Sequence, residues 1–297
     1  QESRGLGDVY KRQDIASSNS PTSTLKLWAP QQLLAPMDKR INQLHPDLIV
    51  FTGDLVNRRG NELPPYMNEL SRLSAPDGVY SILGNHDYGD YFHWGNPEEK
   101  EQTLRSLIVD EEKMGWTMLN NRSVFLRRGN DSIALIGVEN WGLPPFPQYG
   151  KLDLAYSSLN DSVFKILLSH NPLHWKHEVI PHSNIDLTLS GHTHAMQLKL
   201  GWKGFEYSFA EPLYPEWSGL YTAPDKHQML YVNEGIGCVF LPMRIGARPE
   251  ITIITLKKEH EYIDIQAPVT ITGFCRETNR KLSLIHISEP TRLLSIS

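Results

Sequence analysis

The sequence predicts an α/β chain in which two β-sheets stack face to face with helices outside. Three observations carry that prediction. Short aliphatic runs of strand length alternate with stretches of helical periodicity along most of the chain. The strands outnumber the helices in the tally. Four of the aliphatic runs end in Asp, Asn or His, which is how an open α/β sheet gathers ligands at one rim.

In order along the chain, Leu33, Leu34, Met37, Ile41 and Leu44 recur at helical spacing and predict a helix over 31–44, with Pro36 forcing a late start or a kink. Leu48-Ile49-Val50-Phe51 is the first strand, and a second helix follows a polar loop at 65–73. A strand over 78–83, a charged helix over 97–114, and three strands at 117–119, 124–127 and 133–138 come next, the last three separated by Asn120-Asn121 and Gly129-Asn130. A helix at 151–159 and strands at 163–168, 187–189, 229–233 and 251–256 complete the pattern. Residues 201–227, rich in Trp, Tyr, Pro and Gly, read as a long folded surface loop.

The four strand ends carry Gly53-Asp54, Gly84-Asn85-His86-Asp87, Ser169-His170-Asn171 and Gly191-His192-Thr193-His194. Imidazole and carboxylate together favour zinc, manganese or iron over calcium. Gly53 lets the backbone turn sharply before Asp54; an Asp in that place could equally cap a helix, and the other three motifs decide against it. Asn85 offers an amide oxygen that adds coordination without charge. His86, next in sequence, would point away from an ion held by Asn85 and so becomes the general acid, with Asp87 placed to orient its ring and raise its pKa. His192 and His194 lie two apart and share a side in extended geometry. A lone His in a strand is usually a core residue; three at strand ends are not well explained that way.

The order and spacing of these motifs resemble the calcineurin-like metallophosphoesterases, over residues 46–256. The resemblance implies a four-layer αββα sandwich with two central mixed β-sheets. It implies two divalent ions, manganese, zinc or iron, and a hydroxide bridging them that attacks phosphorus in line to cleave a phosphomonoester, diester or pyrophosphate bond. It assigns Asp54, Asn85, His170 and His192 to one ion and His194 with Asp54 to the other. A phosphorylated small molecule, or a lipid or nucleotide-sugar precursor, is the implied substrate, and inner-membrane association or export the implied location. The family's first motif, Asp-x-His, is not matched: if Asp14 is its aspartate, Ala16 stands where the histidine should be, and the second ion is bound weakly or not at all. Arg244, in Pro242-Met243-Arg244-Ile245-Gly246, suits an oxyanion, and Tyr88 follows a strand end where it could line the pocket. His174, His177, His182 and His227 read as surface residues. The alternative is a non-catalytic metal-binding or interaction module, favoured if the absence of the first motif is native; a two-metal aminopeptidase is disfavoured because Asn-His-Asp has no role in it.

Both ends have a separate origin. Residues 3–13 and 282–292, read in opposite directions, are codon-complementary at all eleven pairs, from Gln13 with Leu282 to Ser3 with Arg292. One DNA sequence in two orientations explains that, and it resembles the adapter of transposase-based sequencing libraries. Residues 1–13 and 282–297 are therefore expected to contribute nothing to the core, leaving an N-terminally truncated domain over 14–281. The formal net charge of −5 argues against a nucleic-acid groove, and Cys238 and Cys275 make no disulfide framework or zinc knuckle. Gly-x-Ser-x-Gly, P-loop and Gly-x-Gly-x-x-Gly patterns are missing, which removes support for serine hydrolases and nucleotide-fold dehydrogenases.

Overall fold

The computed structural model describes residues 30–257 apart from 129–130, 158, 160–162, 203–204, 225–227 and 240–242, together with 265–266, 270–273 and 281–287. Asp14, His227 and Cys275 lie outside the described residues.

Two mixed sheets form the centre. Strands β1 (Leu48–Phe51), β2 (Val79–Ser81), β3 (Thr117–Met118), β12 (Thr252–Lys257), β13 (Ile265–Gln266), β14 (Thr270–Gly273) and β15 (Lys281–Ile287) make the first, in the order β13-β14-β12-β15-β1-β2-β3. Strands β4 (Arg122–Arg128), β5 (Asp131–Gly137), β6 (Phe164–Leu168), β7 (Leu187–Ser190), β10 (Gly219–Thr222) and β11 (Met229–Val232) make the second, in the order β10-β11-β7-β6-β5-β4. The hairpin of β8 (Lys199–Trp202) and β9 (Phe205–Ser208) stands apart.

Three apolar layers show how the sheets stack. Leu48 and Val50 of the first sheet, with Ile82 just past β2, meet Leu135, Ile166, Leu187 and Tyr231 of the second between the sheets. On the outer face of the first sheet, Ile49 and Phe51 pack with Met37, Ile41 and Leu107 from the helices Pro30–Gln43 and Pro97–Lys113. On the outer face of the second, Ile136, Leu167 and Leu230 pack with Trp175, Val179 and Leu152. Both faces of each sheet are covered, so its strands read as continuous aliphatic runs. The four-layer expectation stands, because period-2 alternation sends Leu48 and Val50 to one layer and Ile49 and Phe51 to the other.

Several local expectations change. The first helix begins at Pro30, where a proline's missing N–H costs nothing, and continues past Pro36 to Gln43. The second helix shortens to a 3₁₀ turn and Met67–Leu70. Residues 201–227 are less loop-like than expected: they carry part of the β8–β9 hairpin and β10, and they bury Ala210, Trp217 and Ala223. His174 is fully buried, not a surface residue, whereas His177 and His182 are exposed.

The largest correction concerns the C-terminal segment. Residues 281–287 are a strand, parallel to β1 and antiparallel to β12, and Leu284, Ile285 and Ile287 are buried. Leu284 enters the layer between the sheets while Ile285 and Ile287 enter the outer one. The physical reason is an open slot: without β15, β1 and β12 would each leave a row of backbone donors and acceptors unpaired in a buried place. An alternating Leu-Ile-His-Ile run satisfies both rows and both layers, whatever its origin. Among the described residues no helix is long and apolar enough to cross a membrane.

Candidate metal centre

Strands β1 and β2 are parallel, as are β6 and β7, so the loops after their carboxyl ends meet at the rim of the two sheets. Asp54, Asn85, His170 and His192 come from those four ends. Two glycines make the meeting possible. Gly53 has φ +95, and a Cβ on it would sit 2.4 Å from the Gly84 nitrogen; a Cβ on Gly84 would sit 2.2 Å from Asp54 Oδ1. The turns after β1 and β2 therefore touch backbone to backbone, and Asp54 itself takes φ +58.

Four donor atoms converge. His170 Nε2 lies 3.2 Å from Asp54 Oδ2, 2.9 Å from Asn85 Oδ1 and 3.1 Å from His192 Nδ1, and His192 Nδ1 lies 2.8 Å from Asn85 Oδ1. Among the described residues, Asp54, His170 and His192 are the His, Cys, Asp or Glu group whose ligand atoms all lie within 4.8 Å of one another. Each member is aimed from behind. His170 Nδ1 is 2.8 Å from the Thr52 carbonyl, which only accepts, so that nitrogen carries the proton and Nε2 presents a lone pair. Asn85 Nδ2 donates to the Tyr91 hydroxyl at 2.8 Å, turning its oxygen inward. His192 Nε2 is 2.8 Å from the Tyr214 hydroxyl. The His86 amide donates to Asp54 Oδ1 at 2.8 Å, leaving Oδ2 for the cluster.

A bare imidazole nitrogen facing a carboxylate oxygen and an amide oxygen is an arrangement of acceptors against acceptors, and a cation resolves it. Burial pushes the Asp54 carboxyl up, but the imidazoles of His170, His86 and His192 together outweigh it and hold the group well below the usual carboxylate range. Burial, then His170, pushes His192 well below the ordinary imidazole value, which keeps it neutral, as a ligand must be. Two imidazole nitrogens, one carboxylate and one amide oxygen fit a borderline first-row divalent ion.

His86 and Asp87 flank this cluster, but not as the sequence suggests. His86 Nδ1 sits 2.7 Å from the Asn57 carbonyl, and its ring lies 4.5 Å from that of Tyr91. Asp87 accepts from three backbone amides, those of Asp54 and Gly84 at 2.8 Å and Val56 at 3.1 Å. The expectation that Asp87 orients the His86 ring is corrected: Asn57 holds the ring, and Asp87 ties the β1 and β2 turns together. Burial and the neighbouring Asp54 push the Asp87 carboxyl up to about 7, against the pull of the Gly84 and Val56 amides.

The second half of the site differs. After Gly191 the chain enters a left-handed stretch, with φ 72 at His192 and between 45 and 58 at the four non-glycine residues His194–Gln197. Left-handed conformation costs about 1–2 kcal/mol per L-residue, so neighbours must hold it. Thr193 Oγ1 donates to the Trp217 carbonyl at 2.6 Å and Ser208 Oγ to the Ala195 carbonyl at 2.5 Å. His194 is buried, and Arg244 donates to its Nδ1 at 2.9 Å. Tyr88 is buried, donates to Glu139 at 2.9 Å and stacks on Tyr149, so packing accounts for it rather than a pocket wall. Tyr214, Tyr91, Asn57 and the Thr52 carbonyl were not legible in the sequence; none has a spacing that marks it.

A two-sheet α/β sandwich with a His, Asp and Asn ligand cluster at its strand ends defines a metal-dependent hydrolase. The family model described as calcineurin-like phosphoesterase matches residues 7–196, and the match starts within the segment 1–13. The chain is 34% identical to a metallophosphoesterase of Bacillus subtilis, YkuE, over 73% of this chain and 70% of that protein. It is 27% identical to the UDP-2,3-diacylglucosamine pyrophosphatase LpxG of Chlamydia trachomatis, over 76% and 78%. It is 31% identical to a zebrafish (Danio rerio) transmembrane protein with a metallophosphoesterase domain, over 73% of this chain and 47% of that one, about half its length. The chain belongs to the calcineurin-like phosphoesterase family, and the non-catalytic alternative is not favoured.

Proposed function

We propose that the chain hydrolyses a phosphoester or pyrophosphate bond in an amphiphilic substrate, around one divalent cation held by Asp54, Asn85, His170 and His192. The observation that carries this is the convergence of Asp54 Oδ2, Asn85 Oδ1 and His192 Nδ1 on His170 Nε2. Manganese, zinc or iron suits the donor set. When bound, the ion supplies positive charge to the phosphoryl oxygens and to the attacking water. His86, whose Nδ1–H donates to the Asn57 carbonyl, gives a proton to the leaving oxygen from Nε2 when its ring is doubly protonated. Asp87 acts indirectly, by bracing the two turns that carry Asp54 and Asn85.

The amphiphilic part of the proposal is supported by the β8–β9 hairpin, which exposes apolar side chains. One face is polar: Lys199 pairs with Glu234 at 2.6 Å and with the exposed Glu206 at 3.4 Å, and Ser208 is buried. The other is apolar: Leu200 opposes Tyr207, whose ring meets that of Phe209 at 5.6 Å, and Leu200 and Phe209 are each 53% exposed. Exposed apolar faces mark binding or membrane contact. The hairpin begins five residues after His194, and the relative LpxG is named for a diacylated substrate. The same face would rest on a bilayer and so give the chain a membrane location.

The test uses metal-stripped and manganese-repleted protein on two substrates, a soluble p-nitrophenyl phosphoester and a diacylated pyrophosphate in mixed micelles. Restored turnover on both, with the double variant Leu200→Ser, Phe209→Ser losing about tenfold on micelles alone, is the expected result. Equal loss on both substrates would remove the amphiphile from the proposal, and metal-independent turnover would remove the ion.

A further inference from the structure

Arg244 lies on a segment zipped to the chain just beyond His194. Ile245 donates to the Gln197 carbonyl and Lys199 donates to that of Ile245, both at 2.8 Å. Gly246, at φ +73, passes so close that a Cβ would overlap the Lys199 carbonyl oxygen. The half-buried guanidinium is fastened on all sides: Nε donates to the Gly237 carbonyl at 2.5 Å, Nη1 to Ala247 at 3.3 Å, and Nη2 to Glu234 at 2.7 Å and to His194 Nδ1 at 2.9 Å.

A guanidinium has five N–H donors and no acceptor, and it does not deprotonate in proteins. His194 Nδ1 must therefore supply a lone pair to Arg244, and a neutral His194 then carries its proton on Nε2. A metal ligand needs an unprotonated nitrogen pointed at the ion. With Nδ1 taken and Nε2 protonated, His194 offers neither. Asp54 Oδ1, the other oxygen a second ion could share, accepts from the His86 amide. The described residues thus fit one ion and not two.

We infer that Arg244 stands in for a second cation: it is a positioning residue whose fixed positive charge locks His194 as an Nε2–H donor beside the single-ion cluster. The inference rests on the one-ion reading above, but its central claim, the tautomer of His194 and its cause, does not require an ion to be bound. It predicts that a second cation and Arg244 compete for His194.

The experiment is long-range proton–nitrogen NMR of the imidazoles in the full ¹⁵N-labelled chain, alone and with zinc. Without zinc, His194 is expected to show the Nε2–H tautomer. One equivalent of zinc should shift the ligating nitrogens of His170 and His192 and leave His194 unmoved. Arg244→Met should abolish the tautomer preference and let His194 respond to further zinc. An Nδ1–H signal for His194 in the unaltered chain, or a His194 shift that follows His170 on the first equivalent, would overturn the inference. The unaltered chain decides the tautomer even if the variant does not fold. If zinc shifts none of the three rings, the metal reading fails while the apo spectrum still judges Arg244.

Discussion

Asp54, Asn85, His170 and His192 lean on the ends of parallel strands, whereas His194, two residues past His192, leans on segments that belong to neither sheet. The first group is aimed by main-chain groups at the strand ends: the Thr52 carbonyl reaches His170 from the other sheet, and the His86 amide reaches Asp54 across the touching Gly53 and Gly84 turns. The second is held in a left-handed stretch by Trp217, Ser208 and Arg244, all supplied by residues 205–247. The contrast teaches that the strand ends of two stacked sheets can bring together one set of ion ligands at this rim. The neighbouring site needs ligands from elsewhere in the chain, and here a guanidinium reaches His194 first.

The comparison breaks if the well-built half is dispensable. His170→Ala removes the nitrogen on which three other donors converge, and is expected to lower turnover about 10³-fold on every substrate, the loss of roughly 4 kcal/mol of charge stabilisation. Metal analysis after dialysis should show the ion gone. Retained metal with retained activity would mean that the ion lies elsewhere.

His86→Ala should leave the ion bound and lower turnover about 10²-fold on alkyl phosphoesters, with little change on p-nitrophenyl esters, whose leaving group departs without a proton. Equal losses on both would take His86 out of the acid role, and loss of metal would make it a ligand.

Tyr214→Phe sharpens the contrast from the other side, because Tyr214 carries the 205–247 region into the well-built half. Losing the hydroxyl behind His192 Nε2 is expected to weaken metal binding by about tenfold, as outer partners of ligating histidines do. Calorimetric titration with manganese measures it, and an unchanged affinity would confine that region's influence to His194.

The smallest effect concerns pH. His174 sits behind the ligand loop, 2.9 Å from Ser169, and burial pushes its pKa down to about 3. His286 on β15 is pushed to about 3 by burial as well. A histidine whose pKa is depressed on folding contributes stability that is whole above its unfolded value near 6.5 and is lost as pH falls toward 3. Denaturant midpoints should therefore fall steadily across that window. His174→Phe should remove about half of the slope. An unchanged slope would assign it to β15 and its surroundings.

Much of the fold was legible because its signals are local. Leu48–Phe51, Phe164–Leu168 and Leu187–Ser190 are aliphatic runs of strand length whose neighbours in the chain already declare them. The family's motifs sit directly after them, so Asp54, Asn85, His170 and His192 could be named together. Asp87 misled because adjacency to His86 suggested a partnership, whereas three backbone amides, two of them about thirty residues away, claimed its oxygens. His174 misled because its loop is polar in sequence but folds beneath Trp141. Residues 281–287 misled most, since codon arithmetic speaks to where a segment came from and not to whether its side chains fit a slot.

The sequence by itself determined the strand ends, the ligand types they deliver and the family they belong to, because periodicity and motif are properties of consecutive residues. Only the tertiary structure decided what stands behind each ligand. Tyr214 reaches His192 across 22 residues, Arg244 reaches His194 across 50, and the Thr52 carbonyl reaches His170 across 118. Such contacts are set by how the sheets stack and how the left-handed turn is held, and those depend on the packing of the whole domain rather than on any stretch of sequence within it.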